Sequence, residues 1–140
     1  MRIDSTDKGM KRESRDATTE EAYERFRRRI LTRWASMEDY IRATMFRWTI
    51  AVGRDGRRVA LRQRLSGGSP IAFEPNPFPY AVGPAEAHWI LWAERPMSRP
   101  LIQKYLDAVL PAGMRSRFYI NRRVQQSVPG VWHAHVFLRA

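Results

Sequence analysis

Two of the chain's three histidines stand two residues apart near its end, in QQSVPGVWHAHVFLR (125–139). Val131, Trp132, Ala134, Val136 and Phe137 surround His133 and His135 with the β-branched and aromatic residues of a strand. Side chains alternate across a strand, so both imidazoles leave the same face, with Val131, while Trp132, Ala134 and Val136 take the other. Two imidazoles on one rigid strand can bind a metal, hold a phosphate or supply a nucleophile. They can equally be polar residues on a solvated sheet face.

The third histidine opens HWILWAERP, a short apolar strand expected over His88–Ala93 and ended by Pro96. His88, His133 and His135 together have the composition of a three-histidine metal site with an open position for water. Neither Glu86 nor Glu94 is an obvious partner to orient such ligands. The other reading is that the rings satisfy hydrogen bonds in a core or an interface. No cysteine is present, which excludes disulfides, thiolate zinc sites and cysteine nucleophiles. Serine nucleophile elbows, phosphate-binding glycine loops and carboxylate pairs are not evident, and no cofactor is implied.

The elements that must position these rings alternate in period along the chain. Residues 1–17 are polar and mixed in charge, which predicts a flexible arm, followed by a single domain over 18–140. Thr18 with Glu21 fits a capping box, and Tyr23, Phe26, Ile30, Trp34, Met37 and Ile41 recur at helical steps. Phe46, Trp48, Ile50 and Val52 then alternate as a half-buried strand. Gly53-Arg54-Asp55-Gly56 turns the chain into a return strand with Val59, Leu61 and Leu65 on one face and Arg58, Arg62 and Arg64 on the other. SGGSP (66–70) reads as a loop. EPNPFPYAVGP (74–84) reads as an irregular segment, because its four prolines remove donors, with Phe78 and Tyr80 anchoring it to the core. Ser98 caps a helix over 99–109, Arg117–Ile120 form a strand, and Asn121–Arg123 turn into the histidine strand. Locally pairing strands with one inserted helix predict an α+β domain on an antiparallel sheet.

The formal charge is +11, almost all from arginine, and it is spread along the chain. Such a field favours anionic partners: nucleotides, nucleic acid or acidic proteins. No run approaches the ~18 apolar residues of a membrane helix, and the N-terminus has no apolar signal region. The expectation is a soluble intracellular protein, cytoplasmic or nuclear, with no membrane partner.

The succession FEPNPFPYAVGPAEAHWILWAERP, FYIN and SVPGVWHAHVF resembles the N-acetylglucosamine-induced protein family, over about residues 40–139. That resemblance implies a domain but no reaction. HWILWAERPMSRPLIQKYL, then Asn121, Gln126-Ser127-Val128 and His133-Ala134-His135-Val136, also resembles histidine-triad nucleotide hydrolases and transferases. It implies His133 as nucleophile, His135 as the last triad histidine, and His88 as a supporting ring. Asn121, Gln126 and Ser127 would contact phosphate or ribose. Val131 departs from the pattern where the first triad histidine belongs, Pro129-Gly130 adds one residue, and Gln125 replaces a glycine.

The expected function is binding of a phosphorylated or nucleotide-like small molecule, with phosphoester hydrolysis as its extension. The alternative is a non-enzymatic basic module that binds nucleic acid or an acidic protein. In that case Arg27, Arg28, Arg58, Arg62 and Arg64 would matter and the histidines would not.

Overall fold

The computed structural model describes residues 13–121 and 128–140. They form an α+β domain of helices with antiparallel strands. Helix α1 spans Ala17–Arg33, and Asp16, not Thr18, is its N-cap, accepting from the Thr19 N–H at 2.8 Å. The helical stripe expected to continue through Ile41 is interrupted. Trp34 turns extended and bridges to Arg58, the Ala35 N–H donates to the Arg58 carbonyl at 2.9 Å, and Ser36 starts a new helix, α2 (Met37–Met45). Ser36 Oγ accepts from the Asp39 N–H at 3.0 Å, a cap that the Ser-Met-Glu-Asp sequence already carries. The break lets Asp39 Oδ1 accept from the Ala60 N–H at 2.8 Å, so α2 covers one edge of the hairpin that follows.

That hairpin is β1 (Trp48–Val52) and β2 (Arg58–Arg64), paired antiparallel with Val52 opposite Arg58. Gly56, at φ 83°, supplies the left-handed residue of its turn. The strand alternation holds, but Ile50 and Val52 are exposed instead of half-buried. The hairpin forms its own two-stranded sheet, and the register shifts between Trp48 and Ile50. Its far end therefore lies outside the layer that would have covered those side chains. Gly68 marks the return to the main body: a Cβ there would collide with the Phe46 carbonyl oxygen.

The second sheet has the order β3-β4-β6-β5, all antiparallel, with β3 at Ile71–Pro75, β4 at Glu86–Ala93, β5 at Arg115–Tyr119 and β6 at His133–Arg139. Strand β3 was not expected, because prolines hide it. Pro75 closes an edge strand, where a missing donor is tolerated. Helix α3 (Arg99–Val109) has the expected span, with Ser98 Oγ accepting from the Leu101 N–H.

Both sheet faces are covered. On one, Ile102 and Leu106 of α3 pack against Leu91, Phe118, Ala134, Val136 and Leu138. On the other, Met37 and Ile41 of α2 pack with Phe46, Trp92, Val128 and Val131. This second face also carries the histidines. No helix among the described residues is long and apolar enough to cross a membrane.

Candidate functional site: the histidine face of the sheet

The alternation of β6 sends His133, His135 and Phe137 to one face, and strand pairing sets His88 beside Phe137 and Ile90 beside His135. The three imidazoles converge. They are not on a solvated face: His88, His133 and His135 are 4 %, 3 % and 4 % exposed. His88 Nε2 lies 2.9 Å from His135 Nδ1, and the His133 and His135 rings meet edge to face at 5.4 Å between centroids.

The proline segment (74–84) supplies what the rings need. Asn76 Oδ1 accepts from the Phe78 N–H at 2.8 Å, which turns its Nδ2 towards His88 Nδ1 at 3.4 Å. The Tyr80 N–H donates to the same Nδ1 at 3.0 Å. Two donors make Nδ1 the acceptor of the His88 ring, so its proton sits on Nε2 and is donated to His135 Nδ1. His135 then carries its proton on Nε2, which faces Tyr80 Oη at 3.3 Å and the Asn121 amide nitrogen at 3.2 Å. Two donors repel. The network therefore calls for Asn121 to present its amide oxygen there, an exchange of O and N that leaves its shape unchanged. Tyr80 also stacks on His135, with centroids 4.8 Å apart.

Burial, followed by the fields of Arg15 and Arg117, lowers the His88 pKa from 6.5 to about 3. The ring is neutral at physiological pH, as a single-proton relay through His88 and His135 requires. Burial also lowers the pKa of His133, whose Nδ1 lies 3.0 Å from the Val131 carbonyl oxygen. A carbonyl only accepts, so Nδ1 carries the proton and Nε2 keeps a lone pair with no hydrogen-bond partner among the described residues.

His133 and His135 line a cavity of about 100 Å³ between the sheet and the first two helices. Its other walls are mainly apolar and aromatic, among them Tyr23, Phe26, Tyr40 and Phe78. Arg15 reaches it from the segment before α1, donating Nε to the Phe78 carbonyl at 2.8 Å and pairing with Glu20 at 3.2 Å. Residues 13–16, the described end of the segment expected as an arm, are fastened to the body. The Ser14 carbonyl accepts from the Ala81 N–H, and Glu13 pairs with Arg117, which also pairs with Glu86.

Of the residues singled out from the sequence, His88, His133, His135 and Asn121 come together. Gln126 and Ser127 lie outside the described residues. The three rings do not assemble as metal ligands: two of their nitrogens are engaged with each other. Among the described residues no group of three His, Cys, Asp or Glu side chains is arranged to hold a metal. Sequence reading missed Asn76 and Arg15, and saw Tyr80 only as an anchor. The signal for Asn76 was present in Asn-Pro-Phe-Pro-Tyr, since an asparagine before proline favours a side-chain turn.

No match was found among the curated proteins. Among solved structures, one titled "Crystal Structure of HTC1" is similar at a TM-score of 0.59 and 19% sequence identity, covering 91% of this chain and 76% of that one. At that identity the likeness concerns the fold. A family model, described as "Protein of unknown function (DUF3605)", matches residues 5–139, and the chain belongs to that family.

Proposed function

We propose that this chain is an intracellular small-molecule-binding domain that takes the planar group of a phosphorylated or nucleotide-like ligand into the histidine cavity. The observation that carries the reading is His133: a neutral ring that lines an aromatic-walled cavity, oriented by the Val131 carbonyl, with an Nε2 lone pair that has no hydrogen-bond partner among the described residues. An acceptor beside aromatic faces suits a flat heterocycle that offers an N–H. The volume, about 100 Å³, suits a single ring system and leaves a phosphate outside, on the side of Arg15.

Hydrolysis is the extension suggested by the likeness to histidine-triad proteins. It requires the opposite pose, with the phosphate and not the planar group at His133. Nε2 would attack phosphorus as the P–O ester bond breaks, the leaving oxygen would take a proton from water, and the hydroxide so formed would release phosphate from the phosphohistidine. The carbonyl that holds Nδ1–H supports this role, because it keeps the attacking nitrogen unprotonated. Val131 stands against it, because it offers no side-chain hydrogen bond to the nucleophile.

A thermal-shift panel tests the binding. A nucleoside monophosphate should raise the melting temperature more than inorganic phosphate does, and His133→Ala should abolish that difference. Equal shifts in the wild type and His133→Ala would overturn the assignment. Released phosphate, measured on a nucleoside phosphate ester, separates turnover from binding alone.

The basic-module reading finds less support. Arg64 is already paired with Glu94 at 2.9 Å, and the Arg58 guanidinium lies over the Trp34 ring at 5.6 Å.

A further inference from the structure

A second concavity, of about 330 Å³, lies where the hairpin meets the end of the four-stranded sheet. Arg42 of α2, Arg62 of β2 and Arg95 after β4 line it, together with Trp48, Trp132 and Glu94. Its polar groups are unevenly committed. Glu94 accepts from Arg64 Nη2 at 2.9 Å and from the Trp48 indole N–H at 2.8 Å, so its charge is already matched by an arginine. Glu38, one turn before Arg42, accepts from the Gly130 N–H at 2.9 Å. Arg42 donates to the Gly130 carbonyl at 2.9 Å and lies over the Trp48 ring at 5.5 Å, which aims its guanidinium without neutralising it. Arg42, Arg62 and Arg95 have no carboxylate within ion-pair distance among the described residues.

We infer that this cleft is an anion site for a small phosphate ester, separate from the histidine cavity. Three guanidinium groups on one concavity, one of them held by a backbone carbonyl and an indole face, offer forked donors to the oxygens of a phosphate. The two indoles provide a flat apolar wall for the ester group. The inference does not depend on the histidine reading, because none of the residues lining the cleft lines that cavity.

Inorganic pyrophosphate serves as the probe, titrated at moderate salt while the indole N–H resonances of Trp48 and Trp132 are followed by NMR. Both should shift saturably. The double variant Arg62→Ser, Arg95→Ser should weaken apparent affinity by roughly tenfold or more, as loss of charge-assisted bonds predicts. Arg28→Ser with Arg29→Ser removes the same charge from the exposed face of α1 and should change affinity by less than about twofold. His133→Ala should leave the titration unchanged even if it abolishes nucleotide binding. A non-saturable response, or equal weakening by the α1 variant, would overturn the site and leave only the general positive field.

Discussion

His88 and His135 hold their ring nitrogens 2.9 Å apart beneath a covering layer, whereas Arg62 and Arg95 stand exposed at the rim of a cleft. In the first region burial removes charge. A protonated imidazole there would lose its hydration and face Arg15 and Arg117, so the ring stays neutral and its polarity goes into directed hydrogen bonds. In the second region water solvates each guanidinium, charge survives, and it remains available to an anion. Buried polar groups thus act through geometry and exposed ones through field, and the two regions should respond oppositely to pH and salt.

The largest effect should come from His88→Ala. It leaves the Tyr80 N–H and His135 Nδ1 without their partner and opens a void under Tyr80, for a loss of about 3 kcal/mol in urea unfolding. A loss below about 1 kcal/mol would mean that the relay does not hold the proline segment in place.

Acid should come next. The folded pKa of His88, about 3, is below its ordinary value of 6.5, so between those values the unfolded chain binds a proton that the folded chain refuses. This contribution to stability is fully present above 6.5 and is lost as pH falls towards 3. His88 alone predicts about 2 kcal/mol less stability at pH 5 than at pH 7, and the lowered pKa of His133 acts in the same direction. Replacing His88 with glutamine should flatten that part of the curve. An unchanged slope would show that other groups dominate it.

The smallest effect belongs to Arg64→Gln. The Arg64–Glu94 pair is partly exposed and joins the hairpin to the main sheet, so its loss should be within about 1 kcal/mol and should shrink further in high salt. A larger, salt-independent loss would mean that the hairpin depends on this pair for its seating, and would blur the distinction between the regions.

Much of this architecture was legible in local chemistry. Ser98 followed by Arg99-Pro100 marks the start of α3, and Pro111 its end, because capping and proline act over a few residues. The break between α1 and α2 could also have been seen, since Ser36 and Asp39 form a cap of their own, but the apolar stripe ran across it and hid the signal. Strand β3 was hidden by the prolines that follow it and by its dependence on a partner. Its five residues earn strand geometry by pairing with β4, and nothing in Ile71–Pro75 alone demands it. Exposure of Ile50 and Val52 depends likewise on which elements fail to cover them.

The amino-acid sequence by itself determined that His133 and His135 share a face, because the two-residue period of a strand is a property of the backbone. It also determined the cationic field and the absence of thiol chemistry. Only the tertiary structure decided that His88, dozens of residues away, would meet His135, and that Asn76 and Tyr80 would fix where its proton sits. Those relations depend on inter-strand register and on burial by α1, α2 and the proline segment. No local pattern encodes them, because desolvation and hydrogen-bond direction arise only when distant segments are packed together.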